Sequence, residues 1–164
     1  MAKVVLKLGD DISTDIIYPG RFMATVLPTE TPPYAFADMP DFSARLRQGE
    51  IPDGSVIVAG NNFGCGSSRE QAASCLKGLD LVVVARHFGR IFLQNSVNLG
   101  LQTIICPGIQ AEVGDELEIS AGCIHNKTRG ESFEVVALPK SFQAIIDAGG
   151  LIPYTRTRLM MEKE

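Results

Sequence analysis

Gly60-Asn61-Asn62-Phe63-Gly64-Cys65-Gly66-Ser67-Ser68-Arg69-Glu70 decides how this chain is read. The apolar run Val56-Ile57-Val58-Ala59 leads into it as a strand, and Gln71-Ala72-Ala73-Ser74-Cys75-Leu76 leaves it with helical spacing. The stretch is therefore a strand-to-helix turn. Its three glycines allow tight folding and close approach of a ligand to the backbone. Ser67, Ser68 and Arg69 stand where the helix begins. Unpaired amides and the positive end of the helix dipole favour an anion there. An arginine at that point can grip a carboxylate or phosphate through two parallel hydrogen bonds. No Gly-Lys-Ser/Thr follows the glycines, so the turn is not a P-loop.

Outward from the turn, strands are expected at 3–8, 55–59, 81–85 and 103–106. Helices are expected at 42–48, 68–78, 87–98 and 141–148, with Gly100 ending the third. For the last helix, Ser141 is the expected N-cap and Gly149 the stop. Uninterrupted apolar strands alternating with helices imply an α/β fold whose mostly parallel sheet is covered on its faces. Residues 115–119 and 132–136 alternate polar and apolar, which predicts an antiparallel hairpin on a sheet or barrel. Residues 16–40 hold five of the nine prolines and read as an irregular loop of functional length. The tail 155–164 is polar, carries five charges and reads as mobile. The whole chain, 1–164, reads as one domain.

Composition narrows the function. A net charge of -4 and a pI near 5.2 argue against a nucleic-acid surface. No apolar stretch nears the roughly 20 residues that span a bilayer. Lys7 and Asp10 interrupt any signal-peptide core, so the expectation is a cytoplasmic protein. Cys65, Cys75, Cys106 and Cys123 form no CxxC pair, and His87 and His125 lack ligand spacing, so no metal site is expected on this chain. Cys75 and Cys106 read as small core residues. His87 reads as a structural residue opening the second βα helix.

Two blocks go beyond pattern. Gly9-Asp10-Asp11-Ile12-Ser13-Thr14-Asp15-Ile16-Ile17-Tyr18-Pro19-Gly20 and the turn itself resemble the signature blocks of the 3-isopropylmalate dehydratase small-subunit family. That family includes homoaconitase small subunits and the swivelling domain of aconitase. Residues 90–101 and Gly149-Gly150-Leu151-Ile152-Pro153-Tyr154 also resemble it, so the likeness covers nearly the whole chain. The resemblance implies a swivelling β/β/α domain. It implies a hydro-lyase that isomerises 2- and 3-isopropylmalate, in leucine biosynthesis, by removing and re-adding water. It further implies a separate large subunit whose [4Fe–4S] cluster, held on three cysteines, binds the substrate hydroxyl and a carboxylate. Matched residue by residue, Ser67 would be the base, Arg69 would bind a substrate carboxylate, and Ser68 would line the site. A serine base needs help, which amides at a helix start and Arg69 can give by stabilising an alkoxide.

The resemblance assigns substrate choice to the loop after Gly20. Where homoaconitase-like members read Tyr-Leu-Arg-Thr, this chain reads Phe22-Met23-Ala24-Thr25. Ala24 stands at the arginine position, so an apolar substituent suits the loop better than a third carboxylate. An unpaired buried carboxylate would cost several kcal/mol. A shifted register would let Arg21 supply the charge. The loop also departs from the isopropylmalate pattern, so a homoaconitase or a methyl- or dimethylmalate dehydratase stays open as the alternative. Gln71 and Gln94 depart from common histidine and arginine positions; Asp15 and Asn95 read as loop-orienting residues. From a different class, the same turn could serve a non-catalytic anion-binding regulator. Isolated copies of the chain could pair through the surface meant for the large subunit.

Overall fold

The computed structural model of this chain describes residues 1–163. The apolar run Val56–Ala59 forms β2, in the interior of a sheet. β1 (Ala2–Lys7) and β3 (Val82–Ala85) flank it in parallel, and β4 (Thr103–Ile105) extends the parallel block to an edge. On its other side β1 pairs antiparallel with β5 (Glu116–Ile119), which continues through β6 (Cys123–Asn126) to β7 (Glu131–Glu134). The order is β4-β3-β2-β1-β5-β6-β7. The sheet then curls on itself. The Val136 amide donates to the Ile105 carbonyl at 2.8 Å, bridging the chain after β7 to the far edge strand.

Period-two alternation explains two cores. Ile57 and Ala59 face one side of the sheet with Val83 and Ala85, against α2 (Pro40–Arg47), α3 (Glu70–Gly78) and α4 (Arg90–Leu99). Val56, Val58 and Val84 face the other side, where Leu117 and Ile124 meet them. The sheet is covered on both faces, as expected. The strands are apolar throughout, as a doubly covered sheet requires, but the second cover is the antiparallel half of the same sheet.

Other expectations are corrected in detail. The predicted hairpin is a three-stranded meander, because β6 lies between the two segments that alternate. α1 (Thr14–Ile17) runs into the loop 16–40, which also holds short 3₁₀ turns at Gly20–Phe22 and Pro32–Tyr34. His87 does not open α4, which begins at Arg90; it is exposed, and its carbonyl accepts the Phe63 amide at 3.0 Å. Ser141 does not cap α5 (Lys140–Asp147); Pro139 precedes it and offers no capping side chain. The polar tail is helical through α6 (Leu151–Met161).

Close backbone packing sets where α6 starts. Gly100 ends α4 at φ +74°, and a Cβ there would run into Gly149. A Cβ at Gly150 would lie 2.8 Å from the Asn98 carbonyl oxygen. Glycine at 100 and 150 thus lets the α5–α6 junction press onto the end of α4.

Candidate active site

The parallel strands β1, β2 and β3 release three loops on one side of the sheet, the usual place for a ligand in such folds. The loop after β1 and the turn after β2 are laced together. The Gly64 amide donates to the Ile12 carbonyl at 2.7 Å and the Thr14 amide to the Cys65 carbonyl at 2.8 Å. Asp10 Oδ1 accepts the Asn61 amide at 2.6 Å, and Asn62 Nδ2 donates to Asp11 Oδ1 at 2.9 Å. The loop after β3 closes the third side, with the Gly89 amide donating to the Phe63 carbonyl at 2.8 Å. Gly64, at φ +81°, lies against Phe92 where no Cβ fits.

α3 starts at Glu70, two residues later than expected, and no side chain caps it. Ser67 therefore does not serve as an N-cap. It is exposed, and its Oγ lies 3.1 Å from Oγ1 of Thr14, which is buried. Thr14 Oγ1 also donates to the Ser67 carbonyl at 3.2 Å. One threonine proton thus has two acceptors on the same residue. If Ser67 Oγ loses its proton, that donor can turn to it. Ser68 is exposed, and its carbonyl accepts Asn95 Nδ2 from α4 at 3.3 Å.

Arg69 is held rather than free. Its Nη1 donates to Asp15 Oδ1 at 2.6 Å and to the Tyr18 carbonyl at 3.2 Å. Its Nε is buried with no partner. Asp15 Oδ1 also accepts the Gly20 amide at 2.9 Å. The Arg69 guanidinium beside Asp15, and secondarily the Gly20 amide, hold the Asp15 carboxyl below its ordinary range. A Cβ on Gly20 would lie 3.1 Å from Arg69 Nη2, so glycine there leaves room beside that nitrogen.

The loop residues fare differently. Phe22 is half-buried and stacks on Tyr34 at 4.5 Å between centroids. Its carbonyl accepts the Tyr18 hydroxyl at 3.1 Å. Met23 and Ala24 are exposed and Thr25 half-buried. Gln71 Nε2 donates to the Met23 carbonyl at 3.3 Å, tying the loop to α3. Arg21 is turned to Asp38 through two hydrogen bonds of 3.1 and 2.6 Å. Gln94 bonds Asn98 along α4 at 3.3 Å. Sequence reasoning missed Thr14 and the grip of Asp15 and Tyr18 on Arg69. The Thr14-Asp15 pair inside the first block was the available signal.

Among the described residues no group of three or more His, Cys, Asp or Glu side chains could hold a metal ion. Burial pushes the Cys75 thiol up, and likewise the Cys106 thiol to about 11, so neither is a ready ligand or nucleophile. The residues present do not fit an iron–sulfur cluster. No described helix is long and apolar enough to cross a membrane.

The aconitase C-terminal domain family matches residues 12–107, which take in the whole glycine-rich turn and the first laced loop from Ile12 onward. The chain is 43% identical over 162 residues to a 3-isopropylmalate dehydratase small subunit of Methanosarcina mazei, covering 96% of each. It is 42% identical to a 2,3-dimethylmalate dehydratase small subunit of Eubacterium barkeri, covering 92% of this chain and 93% of that one. The crystal structure of a 3-isopropylmalate dehydratase from Methanocaldococcus jannaschii superposes with a TM-score of 0.88 at 34% identity, covering 98% of this chain and 96% of that one.

Proposed function

This chain belongs to the 3-isopropylmalate dehydratase small-subunit family through its aconitase C-terminal domain, and from that premise we propose that it completes a heteromeric hydro-lyase. The proposed reaction interconverts 2- and 3-isopropylmalate in leucine biosynthesis, in the cytoplasm. A proton leaves the carbon beside a carboxylate and the neighbouring hydroxyl leaves as water. Water then returns with hydrogen and hydroxyl exchanged between the two carbons. The large subunit would carry the [4Fe–4S] cluster, which would supply Lewis-acid help to the departing hydroxyl.

This chain's share is proton transfer and carboxylate binding. The observation that carries the reading is the lacing of two strand-end loops, which sets an exposed Ser67 hydroxyl on Thr14 and anchors Arg69 two residues away. Ser67 acts as the alkoxide, accepting a hydrogen bond from Thr14, and its Oγ takes the substrate proton to become the neutral hydroxyl. Such donors typically supply a few kcal/mol at the transition state. Arg69 Nη1 is already engaged, so Nη2 is the donor that meets the substrate carboxylate. The exposure of Ser67 and Ser68 also supports a partner that covers the site, because proton abstraction of this kind needs water excluded.

For substrate choice, Phe22, Met23, Ala24 and Thr25 offer no free cation and Arg21 is committed to Asp38. That favours an aliphatic substituent over a third carboxylate. The 2,3-dimethylmalate relative keeps a smaller aliphatic substrate as the second reading. The test is turnover by this chain mixed with its cluster-loaded large subunit on 3-isopropylmalate, 2,3-dimethylmalate and homoaconitate. Preference for isopropylmalate is expected; preference for homoaconitate would overturn the loop reading, and activity of this chain alone would overturn the subunit reading.

A further inference from the structure

The loop that begins at Gly20 is fastened at three points to residues that touch Arg69 or closely follow it. Asp15 Oδ1 accepts the Gly20 amide at 2.9 Å and Arg69 Nη1 at 2.6 Å. The Tyr18 hydroxyl donates to the Phe22 carbonyl at 3.1 Å, while the Tyr18 carbonyl accepts Arg69 Nη1 at 3.2 Å. Gln71, in the first turn of α3 and two residues beyond Arg69, donates from Nε2 to the Met23 carbonyl at 3.3 Å. Two consecutive loop carbonyls are thus each held by a side chain from the elements that carry Arg69.

Tyr18 is the rigid member. It is 0% exposed, and its ring meets Phe22 and Tyr34 edge-on, at 6.4 and 6.3 Å between centroids. Burial pushes its hydroxyl above the ordinary range, so it stays a donor through neutral pH. The carbonyl it holds also accepts the Thr25 amide at 3.0 Å. That bond closes a turn whose two central residues are Met23 and Ala24. The Phe22 ring is occupied, stacked on Tyr34 with the Arg21 guanidinium 4.6 Å from its centroid. Met23 and Ala24, both exposed, are the side chains that the turn leaves free.

We propose that Tyr18 and Gln71 are positioning residues for substrate choice: they fix the distance from the Arg69 guanidinium to the Met23–Ala24 turn, and that distance sets the size of alkyl substituent accepted. This rests on the proposed roles of Arg69 and the loop. Neither side chain needs to touch the substrate. A preordered turn receives the substituent without the entropy cost of ordering a loop. Contacts to the substituent are made alike in the ground and transition states, so they act on KM more than on kcat.

The test compares 3-isopropylmalate and 2,3-dimethylmalate, which share the malate frame and differ in their alkyl groups, in the assembled, cluster-loaded enzyme. Tyr18→Phe keeps the ring and removes the hydroxyl; Gln71→Met keeps the length and removes the donor. Each should move the ratio of the two kcat/KM values about threefold to tenfold toward one, through KM more than kcat, and the double variant should move it further. An unchanged ratio, a fall shared equally by both substrates, or a loss of kcat at unchanged KM would overturn the proposal and leave the role of Arg69 standing. Equal use of both substrates by the wild type would do the same. No turnover of either substrate by the wild type would overturn the proposed reaction, and the positioning role with it.

Discussion

A serine hydroxyl becomes a base only if its surroundings favour the anion. In this chain the surroundings are one threonine proton, an uncapped helix start and a guanidinium already shared with a carboxylate. Thr14→Val removes the donor without changing shape, and kcat should fall about tenfold to a hundredfold with KM little changed. Steady-state kinetics of the assembled enzyme check this; an unchanged kcat would mean that Thr14 only packs. Arg69→Lys keeps the charge and loses the planar fork, so kcat/KM should fall by about a hundredfold or more. The Asp15–Arg69 tether has a defined pH range. A carboxyl held below its ordinary value contributes stability above its unfolded pKa and loses it as pH falls through the folded one. The tether is therefore intact from about pH 5 to about pH 8 and fails only near or below pH 4. The kcat/KM profile across the neutral range should contain no step that Asp15→Asn removes.

At the scale of elements, the strand-turn-helix unit is the rigid part. Gly64→Ala asks for a side chain at φ +81° against Phe92, and should cost about 2–4 kcal/mol in urea unfolding. A loss under about 0.5 kcal/mol would mean that the turn can shift freely. This unit was legible in the sequence because all its signals are local: valine and isoleucine runs, glycines, then helical spacing. What was missed depends on distant partners. Thr14 in a polar loop reads as a turn residue until Ser67, 53 positions away, is laid on it. β6 has few β-branched residues and becomes a strand by pairing with β5 and β7. α6 has no buried residue and no apolar stripe; it forms where Gly100 and Gly150 let the chain dock on α4. The cover on the second face was legible as a cover, but apolar strands report that they are covered, not by what.

At the scale of the whole molecule, the proposed function makes the exposed Ser67–Arg69 turn half of a reaction centre on an open surface. The other half must arrive with the large subunit, so the isolated chain should show no turnover. Substrate choice should move with the loop. Ala24→Arg gives an exposed position a cation, and the ratio of kcat/KM for homoaconitate over 3-isopropylmalate should rise about tenfold or more. No change in that ratio would detach the loop from substrate choice. The account stands most directly on Ser67. In the assembled, cluster-loaded enzyme, Ser67→Ala should retain folding, since the side chain is exposed in the chain alone, and lower kcat by about 10²–10⁴. A Ser67→Ala enzyme turning over 3-isopropylmalate at the wild-type rate would contradict it.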